Sequence, residues 1–305
     1  MKRMCVFACV LLVAGIAVAQ ESEVTQEQET VTTVSGDVDL LSQLWYLEDA
    51  TPLSTGQVDL RLGVGWMTAS APANMGDSDD DFVITPSIVW GAAEGLELSV
   101  SVPVWVGDSG DVGAFDEDIN YDTYVGLLWR IAEQRDCSAC GLGPVPALAL
   151  SATARVPTGC GSSGVDGELR LILTNEYESG IRSHINVFAM CVDRDAEDLF
   201  DSDGGFEGWG RLDRDSLDIR DFQYGVVIGL DGPLCADGAV RWVLDYMNRS
   251  SYFNGASSLN MLEAGWEWEM SDAQKLGLSM QIGLDSAGET PNFGASLTYA
   301  HSLTY

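Results

Sequence analysis

The chain has 305 residues, 47 acidic side chains against 15 basic ones, and a net charge of −32. That balance excludes nucleic acid as a partner, because binding it depends on Lys and Arg neutralising phosphates, and it suits loops facing water or divalent cations. The length fits one large all-β unit, which can run to ~200–250 residues without splitting.

Residues 1–19 read as a secretory signal. Lys2 and Arg3 supply the positive end, Val6 to Val18 the apolar stretch, and Ala17-Val18-Ala19 a small-residue cleavage site. A lipoprotein reading of Val6-Phe7-Ala8-Cys9 fails on the short apolar run before Cys9. No later stretch approaches the roughly 18 apolar residues of a spanning helix, so a membrane could be crossed only by strands.

Residues 20–55 carry Glu, Gln, Thr and Val without a core-forming pattern and read as a flexible acidic leader. Within it, Leu40, Leu41, Leu44 and Leu47 predict one short amphipathic helix over 37–48, which could plug or edge a barrel but fits a loosely held lead-in better.

Residues 56–305 alternate strictly. Val58, Leu60, Leu62, Val64 and Trp66 oppose Asp59, Arg61, Gly63 and Gly65; Leu96, Leu98, Val100 and Val102 oppose Glu97, Ser99 and Ser101. Successive side chains of a strand point to opposite faces, so each segment has one apolar and one polar or small face. The same pattern recurs around Leu127, Leu150, Leu171, Val187, Val226, Leu244, Trp266 and Leu278, and a less regular strand runs from Val83 to Gly91. Phe293, Leu297, Tyr299, Leu303 and Tyr305 share one face of a last strand that ends on an aromatic. Leu297, Tyr299, Leu303 and Tyr305 therefore read as a C-terminal assembly signal for barrel-assembly machinery. The total is about twelve strands, an even number as bacterial barrels have.

The connections alternate too. Tight turns at 92–95, 178–180 and 271–274 are interleaved with longer loops near 69–81, 107–119, 157–167, 193–220, 249–257 and 286–291, and 135–143 is the main exception among the short ones. This is the asymmetry of a barrel with short periplasmic turns and longer, acidic outer loops. A β-sandwich also alternates, but here the polar face interleaves small residues with single charges of both signs, as a concave barrel wall requires. Trp66, Trp90, Trp129, Trp242, Trp266 and Trp268 lie toward strand ends on the apolar face, as interfacial girdles do. The fold predicted is all-β: a transmembrane antiparallel up-and-down barrel in outer-membrane lipid.

Several stretches resemble a known family. Glu48-Asp49-Ala50-Thr51-Pro52-Leu53, Thr85-Pro86, the run Gly95 to Pro103, Ala154-Arg155-Val156-Pro157-Thr158-Gly159 and Arg182-Ser183-His184-Ile185-Asn186 resemble the outer-membrane transporters named after the meta (MetA) pathway of phenol degradation. The likeness spans residues 48–305. It implies an outer-membrane barrel that moves small, often aromatic or apolar compounds; the acidity and the cysteines of this chain depart from it.

The inward charges are what a solute would meet. Arg61, Arg130, Arg155, Arg170 and Arg241 form the expected positive wall, and Asp59, Glu97, Glu263, Glu267 and Glu269 the negative one, jointly a polar constriction. The same charges could instead pair to fill the interior. No nucleophile arrangement stands out, His184 beside Asn186 reads as a polar pair, and neither enzyme activity nor a cofactor is expected. Five cysteines follow the signal; Cys137 and Cys140 read as a disulfide clamping a turn rather than as a redox or zinc pair. Asp201 and Asp203 carry a fragment of a calcium-loop rhythm within an acidic segment that otherwise reads as a solvated loop. Three functions follow: a passive channel for small solutes, a non-conducting structural or adhesion barrel with cation-binding loops, or a secreted sandwich module.

Overall fold

Every alternating segment forms a strand in the computed structural model, which describes residues 47–68, 80–105, 122–135, 144–159, 164–193, 220–235, 238–251, 258–284 and 293–304. In chain order the strands are β1 (Gln57–Thr68), β2 (Asp80–Ala93), β3 (Leu96–Ser101), β4 (Val104–Trp105), β5 (Thr123–Ala132), β6 (Ala147–Val156), β7 (Asp166–Glu176), β8 (Arg182–Cys191), β9 (Phe222–Pro233), β10 (Val240–Arg249), β11 (Leu259–Ser271), β12 (Gln274–Gly283) and β13 (Phe293–Thr304). Consecutive strands pair antiparallel, and β1 pairs with both β2 and β13, in register from Gln57↔Thr304 to Thr68↔Phe293, which closes the sheet. Closure removes the open edges that would leave backbone N–H and C=O groups unpaired in lipid, and it rules out the sandwich.

Thirteen strands make twelve staves, because β3 and β4 are two pieces of one. Pro103 has no N–H for the ladder, so regular pairing stops at Ser101. The Val102 amide donates to the Pro86 carbonyl at 3.1 Å, and Val104 and Trp105 then resume pairing with β2.

Five connections, 94–95, 133–146, 177–181, 234–239 and 272–273, share one end with the start of β1 and the end of β13, and all but 133–146 are short. The tight ones turn where a left-handed residue is needed: Gly95 and Gly180 have φ of 70° and 75°, a region that costs a side chain at Cβ. The other six connections share the opposite end.

The outer face carries half-exposed apolar side chains from nearly every stave, among them Leu62, Ile88, Val125, Leu171, Val187, Ile228, Leu244, Met280 and Leu297. Most main strands have 10 to 14 residues, and about 9–11 tilted residues suffice to span the hydrocarbon. Trp90, Trp266, Trp268 and Tyr177 ring the short-turn end; Phe222 and Tyr224, with the edge-on pair Trp66 and Phe293 (5.9 Å), lie toward the other. Leu297, Tyr299 and Leu303 lie on this outer face of β13, whereas Tyr305 is outside the described residues. So are Cys137, Cys140, Asp201, Asp203, most of the acidic segment, and residues 1–46 with all but the last two positions of the expected helix.

Candidate functional site

Inward positions alternate with the lipid-facing ones, so the lumen wall is the polar half of each strand's pattern. Into this lumen runs the end of the leader. Instead of a loosely held lead-in, residues 47–53 are an ordered plug without helical turns, with Leu47, Asp49, Ala50 and Leu53 buried. Leu47 packs among Phe188, Val227, Val243, Met247, Met261 and Ala300. Burying such a side chain contributes roughly 1.5–3 kcal/mol. Gly229 leaves its room: a Cβ there would lie 2.7 Å from Leu47 Cδ2.

Irregular backbone inside a barrel needs partners for its polar groups, and strand side chains supply them. The Glu48 amide donates to Asn186 Oδ1 at 2.7 Å, while Asn186 Nδ2 donates to the Glu48 carbonyl at 2.8 Å. The Ala50 amide donates to Thr174 Oγ1 (2.9 Å), and the Leu53 amide to Glu97 Oε2 (3.0 Å). Two ion pairs add charge to these bonds: Asp49 with Arg182 at 3.1 Å and Glu48 with Arg170 at 3.2 Å. Burial pushes the Glu48 carboxyl above its ordinary 4.5, against the pull of Arg170. At the stem of the plug, the Gly56 amide donates to the Gly91 carbonyl at 2.8 Å.

Beneath the plug, Asp231 organises the short-turn end. It is fully buried and gathers Arg182 (3.1 Å), Arg241 (Nε at 2.9 Å) and His184 Nε2 (2.5 Å). The other nitrogen of His184 lies 3.0 Å from Thr174 Oγ1, the atom that accepts from Ala50. One carboxylate thus orients an arginine that holds the plug's Asp49 and a histidine that positions Thr174 of β7, the acceptor of the plug's Ala50 amide.

The sequence-predicted charges fall into three groups. At the lumen's centre, Arg170 bonds Glu168 at 2.8 Å as well as Glu48 and lies over the Phe188 ring at 5.1 Å. Across the lumen, Arg61 on β1 pairs with buried Asp59 at 3.2 Å, and Glu263 and Glu267 on β11 are buried opposite Asp245 and Arg241. Near the long-loop end, Arg155 bonds Asp166 at 2.7 Å and also Asp122, and Asp122 accepts the amides of Thr158 and Gly159 at 3.1 and 3.2 Å. That clamp holds the Val-Pro-Thr-Gly turn. Arg130 and Glu269 do not join a constriction. Their strands have reached the short-turn end, where Arg130 pairs with exposed Glu133 at 3.1 Å and Glu269 is exposed at a β-bulge.

The positive and negative walls are therefore largely neutralised against each other, and several of the partners, Asp49, Asp166, Arg182 and Asp231, escaped sequence reasoning. Each strand residue among them sat on the polar side of its alternation, the one signal that could have found it. Asp245 stands apart, buried opposite Glu263 with neither oxygen hydrogen-bonded among the described residues.

Between the plug and the wall of β2, β3, β5 and β6 lies a cavity of about 180 Å³, lined by Glu48, Asp49, Val89, Glu97, Ser99, Ser101, Tyr124, Gly126, Leu128, Ser151 and Thr153. Small side chains keep this side open. Gly126 leaves room for Ser99 Oγ, which a Cβ there would push aside.

No family model and no curated protein matches the chain. Among solved structures, an outer membrane channel from Pseudomonas putida F1 is similar over 84% of this chain and 98% of its own, with a TM-score of 0.56 and 14% identity. The NanC porin (TM-score 0.48, 9% identity) and the KdgM porin (0.44, 11%) each match 81% of this chain and 99% of their own. At such identities the likeness to the Pseudomonas channel is one of fold, that of an outer-membrane barrel.

Proposed function

We propose that this chain is a passive outer-membrane channel for small solutes, working without a cofactor and restricted by its own plug. The observation that carries this reading is the partly filled lumen: a closed barrel with an apolar exterior encloses a polar, charged bore in which a cavity of about 180 Å³ remains beside residues 47–53. A twelve-stave bore is wider than eight-stranded barrels filled by side chains and narrower than sixteen-stranded porins. In the membrane, the short turns face the periplasm and the long acidic loops the outside, where divalent cations can bridge them to acidic surface groups.

The resemblance to the meta-pathway transporters supports the same reading by where its motifs fall. Glu48 to Leu53 is the plug, Arg182 to Asn186 contains its holders, and Ala154 to Gly159 contains the Arg155 clamp and its turn.

The second reading, a non-conducting structural barrel, draws on the plug's dense bonding. Liposome swelling with a panel of aromatic and aliphatic solutes, together with single-channel recording, separates the two. The channel reading expects solute-dependent swelling and discrete conductance steps. Impermeable liposomes and silent bilayers, from protein whose gel mobility shifts on boiling, favour the structural barrel.

A further inference from the structure

The two sides of the lumen differ in charge. Arg170, Arg182 and Arg241 stand on β7, β8 and β10, each engaged by carboxylates. The cavity faces the opposite wall, and among the described residues none of its lining side chains is cationic. Its chemistry is carboxylate and hydroxyl: Glu48 and Glu97, with Ser99, Tyr124, Ser151 and Thr153.

Glu97 is the telling group. Its side chain is more than nine-tenths buried and lines the cavity, yet only one oxygen is engaged, Oε2 by the Leu53 amide. Oε1 receives no hydrogen bond from the described residues. Arg61 acts on it electrostatically from β1 without forming an ion pair within 4.0 Å. The free oxygen opens onto the cavity, where a donor on a solute can reach it. A cavity of about 180 Å³ takes the volume of about six waters at ~30 Å³ each, enough for one compact solute.

We infer that this cavity is a binding site for small organic ammonium compounds bearing hydroxyl groups, the ammonium donating to Glu97 Oε1 and the hydroxyls bonding Ser99, Ser151 and Thr153. This rests on the channel reading and narrows its solute class, away from the apolar compounds that the family resemblance implies. Charge-assisted hydrogen bonds are the strong ones, so an ammonium should outcompete a neutral isostere of the same size, and an anion should be disfavoured.

The test uses the full-length folded chain with glucosamine, glucose and gluconate as probes. Efflux from liposomes should favour glucosamine over glucose by about tenfold, the ratio expected for one hydrogen bond to a charged group, with gluconate slowest. Glu97→Gln keeps an acceptor for the Leu53 amide and should bring the ratio near one; Thr153→Val, isosteric and without the hydroxyl, should slow both sugars relative to a solute lacking hydroxyls. Heat-modifiable mobility checks that each variant has folded. Calorimetry on detergent-folded protein separates the two readings. Glucosamine binding that is lost in Glu97→Gln, without any efflux, upholds the site and sinks the channel. Efflux without preference for glucosamine, or a preference that survives Glu97→Gln, upholds the channel and overturns the site, as does the absence of binding.

Discussion

The β7–β10 side of the lumen and the β2–β6 side begin from the same alternating pattern and end differently. On the first, Leu47 of the plug fills the space and Asp49 pairs with Arg182, and Asp231 with Arg182, Arg241 and His184 binds the staves to one another and to the plug. On the second, Ser99, Gly126, Ser151 and Thr153 are too short to reach across, and a cavity remains. A twelve-stave bore is wider than the eight-stranded barrels that side chains fill. One half is closed with inserted backbone, and the other keeps the cavity.

The largest effect should come from removing the organiser of the filled side. Asp231→Ala leaves Arg182, Arg241 and His184 without their shared carboxylate in a buried setting. Breaking a buried ion network by deleting one partner costs about 3–5 kcal/mol, so the variant should lose its folded, fast-migrating gel form at a markedly lower temperature than the parent. An unchanged transition would mean that the network only fills space.

Next comes Gly91→Ala, which acts where the plug meets the open side. A Cβ there would sit on the Ser54 carbonyl oxygen and 2.8 Å from that of Leu53, and backbone atoms cannot swing aside as a side-chain tip can. The stem of the plug must lift off β2 while the barrel stays paired. Conductance should rise several-fold with little change in barrel stability, and equal conductance would show that residues 47–53 are not the restriction.

The smallest effect is a pH dependence. Burial holds the docked Glu48 carboxyl above 4.5, with Arg170 lowering it and Glu168 and Asp49 raising it. A carboxyl whose docked value is raised favours docking as the neutral acid. Docking is at full strength below 4.5 and weakens as pH rises through the raised value. Open-channel probability should therefore increase with pH over that window, and Glu48→Gln should flatten the profile.

Much of the fold was legible because its cause is local. Period-two alternation marked all twelve staves, the spacing of turn residues separated the two ends, and pairs two apart on one strand, Asp59 with Arg61 and Glu168 with Arg170, were visible as neighbours on the same face. The site was legible only in part. Arg61, Glu97, Arg155, Arg170, Arg241, Glu263 and Glu267 do face the lumen, but Arg130 and Glu269 share their polar periodicity and lie at the rim. Alternation gives the face of a strand, not the depth at which a residue sits. Asp231 escaped notice because its three partners come from positions 182, 184 and 241, and nothing in the spacing of those residues shows that they converge.

The plug makes the same point more sharply. Residues 47–53 have no periodicity to read, since their backbone bonds to side chains of β3, β7 and β8 rather than to a ladder. The sequence by itself determined the staves, their lipid face and the alternation of their connections, because each follows from the pattern of residues a few positions apart. Which lumen charges pair, which half of the bore is filled and which stays open were decided only by the tertiary structure. Those outcomes depend on the stagger between staves and the width of the closed sheet, quantities that exist only once the last strand has met the first.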